Sequence, residues 1–269
     1  MVDLFKQAHA CLVACDPDEK VSLTLQAATL WQDSSCPLDL NTAPLNVLAP
    51  GRPVKPRLVH YSKLPARKMG SREGRTAFIH ALAHIEFNAI NLALDVVCRF
   101  QGLPRLFYQD WIKVAAEEAQ HFQLLVDRLQ VFDCVYGDYP VHNGLWDMAC
   151  RTDHDVMARM ALVPRVLEAR GLDVTPAMIT RLKQAGDEDT ARVLEKIYAD
   201  EIGHVEIGSR WFKYLCNDRQ LDPLATFRQL LETHCSERVR HPVNVAARKQ
   251  AGFTQQELEM LQQMAGTGK

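Results

Sequence analysis

The chain has 269 residues, 47% of them hydrophobic and 24% charged, proportions of a folded protein that exclude disorder. A formal net charge of −2 excludes a chain that is basic along its whole length, so nucleic acid could meet only a local patch. No apolar run approaches the roughly 20 residues of a bilayer span, and acids from Asp3 onward do not suit a secretory signal; together these predict a soluble, cytoplasmic protein. Eight scattered cysteines without a CxxC pair imply neither a zinc site nor a disulfide framework and read as reduced, mostly buried thiols.

Residues 3–32 read as one or two short helices broken near Asp16-Pro17. From Cys36 to Lys68 six prolines forbid long helices and predict an extended arm, so residues 1–70 form an N-terminal region of short helices and arm. Within 52–75 there are eight Lys/Arg (52, 55, 57, 63, 67, 68, 72 and 75) against one acid, Glu73. That excess suits a solvated wrapping arm or, alternatively, contact with an anion or RNA.

Four long helical patterns follow over 71–217. The first spans about 72–101, with Ser71 as N-cap, Gly102 as C-cap and Pro104 beyond. The second spans about 104–131, the third runs from Asn143 to Gly171 with a kink at Pro164, and a shorter piece covers 176–185. The fourth spans about 188–216. The tail, 218–269, holds two short helices around a His241-Pro242 break. Strand signals are almost absent, which predicts an all-α chain built on a four-helix bundle.

The second and fourth helices share one pattern: Ala116-Glu117-Glu118-Ala119-Gln120-His121 and Ala199-Asp200-Glu201-Ile202-Gly203-His204. Glu and His at i and i+3 leave one helix face and can reach one metal ion. Both copies lie in apolar stripes, where a carboxylate is costly unless paired or metal-bound. Partners are therefore expected on the first and third helices, and Glu86 and Glu168 fit. Glu86 and Glu118 each lie 16 residues from Gly102, so an antiparallel pair would set them level. Four carboxylates balance two divalent cations with both imidazoles neutral, and carboxylate with imidazole suits iron or manganese, with zinc an option. Mutual repulsion of such carboxylates leaves room for Glu→Gln to raise metal-free stability.

Other residues carry bland readings. His80 and His84 lie roughly 240° and 160° from Glu86 at about 100° per residue and read as packing or polar surface groups. His154 lies about 21 Å along the helix from Glu168, where capping or hydrogen bonding is expected. Glu117 and Asp200 could orient the two histidines but read better as partners of a base on a neighbouring helix. Tyr198 could be redox-active or simply packed, and Asp155 is the substitute should Glu168 fail. Cys98 and Cys216 read as core residues.

The stretches HIEFNAINLALD (84–95), DWIKVAAEEAQHF (110–122), HDVMARMALVPRVLEARGLDVTP (154–176), DEIGHVEIGSRWF (200–212) and AARKQAGF (246–253) resemble the ferritin-like di-iron carboxylate superfamily, more closely its uncharacterised family catalogued as domain of unknown function 455. The resemblance implies a ferritin-like fold and a dinuclear site. It implies no substrate, since the superfamily contains ferroxidases, oxygen-dependent hydroxylases (one of them tRNA-modifying) and manganese catalases. The expectation is an oxidoreductase acting with O₂ or peroxide on a small-molecule or RNA substrate. Its two transition metals, iron or manganese, would be held by Glu86, Glu118 and His121 and by Glu168, Glu201 and His204. The alternatives are a non-catalytic metal-binding or RNA/protein-binding scaffold and, third, a two-metal hydrolase.

Overall fold

In the computed structural model, which describes residues 3–33, 35–39, 43–64, 69–234 and 242–266, the helices begin where the sequence offers caps. Among the described residues the chain is helical without strands, with one isolated parallel bridge between Leu58 and Val141. It divides into two compact units, Met1–Asp147 and Met148–Lys269.

In the first unit α1 (Leu4–Val13) starts on Asp3, whose carboxylate accepts from the Phe5 and Lys6 amides at 2.9 and 3.3 Å. Asp16 caps α2 (Pro17–Gln32) through the Glu19 amide at 2.9 Å, and Pro17 occupies the first turn, so the chain breaks at Asp16-Pro17 as predicted. Lys20, fully buried, then closes the other end of α1: its ammonium donates to the Cys11 and Leu12 carbonyls at 2.8 and 2.7 Å. Burial pulls that ammonium down to about 8. Because the folded chain releases this proton before the unfolded chain does, the cost of the buried charge is fully present below pH 8 and is relieved as pH rises from 8 toward 10.5. The stability difference between wild type and Lys20→Met should therefore move in favour of wild type by roughly 2–3 kcal/mol across that window, as read by urea unfolding at stepped pH. A pH-independent difference would remove the buried charge as its cause.

The Pro-rich arm is extended and pinned through its backbone. The Leu45 amide donates to the Cys98 carbonyl at 3.1 Å and the Gly51 amide to that of Leu12 at 2.9 Å. Further along, the Val59 amide donates to Val141 and the Val141 amide to Arg57. Position 51 needs glycine, since a Cβ there would lie 2.1 Å from the Val13 carbonyl oxygen. Arg67 and Lys68 lie outside the described residues.

Ser71 caps α3 (Arg72–Arg99) through the Gly74 amide, and α4 (Arg105–Val131) starts after Pro104. Gly102, at φ +76°, turns the chain between them, two residues past the C-cap Phe100. α3 and α4 pack as a hairpin, with α1 on α3 and α2 on α4. Arg105 lies over the Trp31 ring at 3.8 Å, and Phe5 meets Tyr108 edge-on at 5.3 Å. One expectation needs correcting: α3 is long and apolar enough to cross a membrane by length and composition, with a window of mean hydropathy 1.3. That window is 89% buried inside the protein, as a core helix requires.

α5 (Gly144–Arg151) carries the division between the units. The third helical pattern is not one helix. It resolves into α6 (Val156–Leu162), a π-helical turn over Val163–Glu168, and α7 (Ala169–Gln184). Pro164 cannot donate to the Met160 carbonyl, and its ring crowds that turn; the wider π turn accommodates both. Neither Gly171 nor Pro176 stops α7, contrary to the expected interruption. Pro176 frees the Leu172 carbonyl, and the Asn244 side-chain amide fills it at 3.2 Å. α8 (Glu188–Asp218) begins on Asp187, which accepts from the Thr190 amide. Gly208 of α8 meets Pro164 so closely that a Cβ would lie 2.4 Å from the proline ring.

Among its described residues the tail forms three helices where two were expected: α9 (Pro223–His234), α10 (Val245–Gln250) and α11 (Gln255–Gly266). His241, at the expected break, lies outside the described residues. Two buried ion pairs tie the tail to the rest of this unit. Arg248 meets Asp173 through two hydrogen bonds of 2.9 and 2.7 Å, and Arg165 donates to Glu257 at 2.6 Å.

Candidate metal centre

α3 and α4 bring three of the expected site residues together in the first unit. Glu86, Glu118 and His121 are 5%, 1% and 0% exposed, and one ligand atom from each lies within 4.8 Å of the others. His121 Nδ1 stands 3.3 Å from Glu118 Oε2 and 3.5 Å from Glu86 Oε2. The i, i+3 spacing aims Glu118 and His121 from one face of α4, and Glu86 arrives from α3 at the matching level. Burial opposes a charge on His121, but the hydrogen bonds and charges of Glu118 and then Glu86 outweigh it and lift the imidazole to about 11. In the metal-free chain the imidazolium is thus the counter-cation of two buried carboxylates. A divalent ion can take its place, with the imidazole neutral, so this cluster is compatible with metal binding.

Phe87 and Phe122, next in sequence to Glu86 and His121, belong to an aromatic cluster that the sequence alone did not single out. Phe87 and Phe122 lie 5.4 Å apart, and Tyr136 meets them at 5.6 and 5.1 Å.

In the second unit α8 sets Glu201 beside His204, with Oε1 3.5 Å from Nδ1 and His204 buried. Glu168 closes the π turn, half-buried. Asp155, the substitute for Glu168, has another role. It caps α6 through the Met157 amide and holds Arg219 at 2.7 and 2.9 Å.

The remaining candidates sit outside this cluster. His80 accepts the Gly137 amide at 2.8 Å and stacks on Tyr136. His84 meets Tyr136 Oη at 2.8 Å and donates from Nε2 to the His142 carbonyl at 3.1 Å; burial drives its pKa down to about 3, so it stays neutral. His154 is exposed beside Asp153. Tyr198 accepts from Asn244 at 3.1 Å. Glu117 and Asp200 each meet a lysine one turn earlier on their own helix, Lys113 at 3.5 Å and Lys196 at 2.6 Å. Cys98 and Cys216 are buried free thiols.

A protein of Haemophilus influenzae, described as "Uncharacterized protein", is 45% identical over 226 residues, covering 81% of this chain and 78% of its own. No solved structure matches. The family described as "Protein of unknown function (DUF455)" matches residues 13–259, from α1 to α11. The chain belongs to that family.

Proposed function

We propose that this protein binds two transition-metal ions, iron by preference, in a ferritin-like four-helix bundle over 71–217 and is an oxidoreductase that activates O₂ or peroxide. Glu86, Glu118 and His121 mainly hold one ion; Glu168, Glu201 and His204 mainly hold the other. The observation that carries the reading is the convergence of two buried carboxylates on one imidazole within 4.8 Å, a donor set suited to a transition metal. Its repetition in sequence, with Glu201 and His204 side by side in the second unit, supports a second ion of the same kind. Carboxylate oxygen and imidazole nitrogen suit iron or manganese, which when bound supply the redox chemistry. The chain's own residues then have three tasks. Six side chains position the ions, the four carboxylates neutralise their charge, and the burial of Glu86, Glu118 and His121 keeps water from them.

Elemental analysis of protein purified under metal-replete conditions tests this directly and should approach about two ions per chain. The reduced, iron-loaded protein should consume O₂ faster than the same iron free in buffer. A folded chain that never holds more than trace transition metal would overturn the reading. A full complement of metal with no O₂ or peroxide chemistry would leave a metal-binding scaffold instead.

A further inference from the structure

The Pro-rich arm concentrates exposed cations in a short stretch of the first unit. Residues 43–64 contain Arg52, Lys55, Arg57 and Lys63 and no acid. All four are exposed, and among the described residues none meets a carboxylate. Other exposed cations of this unit have partners of several kinds: Arg72 meets Asp133 at 2.8 Å, Lys113 meets Glu117 at 3.5 Å, and Arg105 lies over the Trp31 ring at 3.8 Å. The backbone beneath the strip is held by the Gly51 amide on Leu12, the Arg57–Val141–Val59 exchange and the Trp146 indole on the Leu48 carbonyl. The positive charge is therefore presented on an ordered, extended segment rather than a free tail. In the same stretch His60 and Tyr61 form an exposed ring pair, centroids 4.4 Å apart, with Tyr61 65% exposed.

We propose that residues 52–63 bind single-stranded nucleic acid, with phosphates on Arg52, Lys55, Arg57 and Lys63 and a base stacked on Tyr61. Exposed cations strung along one segment can follow a phosphate backbone, and a flat exposed ring accepts any base face. An anionic membrane surface is the lesser fit. Prolines at 50, 53 and 56 preclude an amphipathic helix, and the exposed Leu48 and Val54 do not form a continuous apolar face. The inference stands apart from the metal reading, since none of these side chains is a proposed ligand.

Fluorescence anisotropy of a labelled oligouridine, titrated with the full chain at several salt concentrations, tests it. Four engaged cations predict a slope of log K against log salt near −3, at about 0.7 per phosphate. Replacing Lys55, Arg57 and Lys63 together by Gln should weaken binding at least tenfold at low salt and make the slope shallower by about 2. Tyr61→Ala should cost roughly tenfold with the slope unchanged, because stacking releases no counterions. Lys113, Lys183 and Lys196 changed together to Gln remove the same charge from paired surface sites and should leave binding as in wild type. Equal weakening in that control, no change in the arm variants, or capture by phosphatidylserine vesicles without oligouridine binding would each overturn the proposal. Thermal melts show that each variant is folded, and Tyr61→Ala carries the test alone should the triple variant melt early.

Discussion

Glu257→Gln should be among the most damaging single substitutions in residues 148–269, lowering stability by about 3–5 kcal/mol. Arg165 is completely buried, and Glu257 receives its NH2 at 2.6 Å while Ser209 receives Nε at 3.3 Å. The rest of the guanidinium lies among the rings of Phe212, Phe227 and Phe253, with its carbon 4.6, 4.1 and 4.6 Å from their centroids, and NH1 makes no hydrogen bond. Rings stabilise a cation but do not neutralise it. Removing the carboxylate charge leaves a buried cation without its counter-ion. It also weakens the cap of α11, where Glu257 accepts the Thr254 amide at 2.8 Å. The double change Arg165→Met with Glu257→Gln removes both charges and should recover much of the loss, because desolvating the pair was itself costly. Urea unfolding of both variants decides the matter. A double variant no better than Glu257→Gln would place the cost in packing and the cap rather than in the orphaned charge.

His121→Ala and Glu118→Gln should abolish the stabilisation that added metal confers on the wild type. A ligand at a hundred times its dissociation constant contributes about 2.7 kcal/mol per independent site. The variants should show little of this and should lose most of their bound metal. Glu201→Gln and His204→Ala should behave alike if the second E-x-x-H holds an ion, and Glu168→Gln tests the remaining carboxylate. Metal that stabilises variants and wild type equally would refute these ligands. In the metal-free chain the geometry reverses a sequence expectation. With the His121 imidazolium 3.3 Å from Glu118, the Gln variant loses an attraction rather than a repulsion, so metal-free stability should fall. The contribution of a raised imidazole is fully present below its ordinary pKa of 6.5 and disappears as pH rises through about 11. The loss in Glu118→Gln should accordingly be largest in acid and shrink toward alkaline pH, and metal uptake by the wild type at neutral pH should release a proton.

Local chemistry made much of this protein legible before any folding was considered. Asp3, Asp16, Ser71 and Asp187 each satisfy amides within three residues, so the starts of α1, α2, α3 and α8 could be placed from neighbours in sequence alone. The E-x-x-H pairs were visible for the same reason, since a helix sets i and i+3 on one face whatever surrounds it. What surrounds α6 and α7 was not visible. Pro164 is tolerated in a π turn against Gly208, and Pro176 is tolerated because Asn244, distant in sequence, takes the carbonyl it abandons. The buried pairs Arg165–Glu257 and Arg248–Asp173 join residues 92 and 75 positions apart, and a single sequence carries no local mark of such a match. Periodicity could say that Glu86 faced a core. Counting from Gly102 set Glu86 level with Glu118, but only the packing of α3 on α4 decided how near Glu86 comes to His121, because a distance between two helices depends on the side chains that separate them.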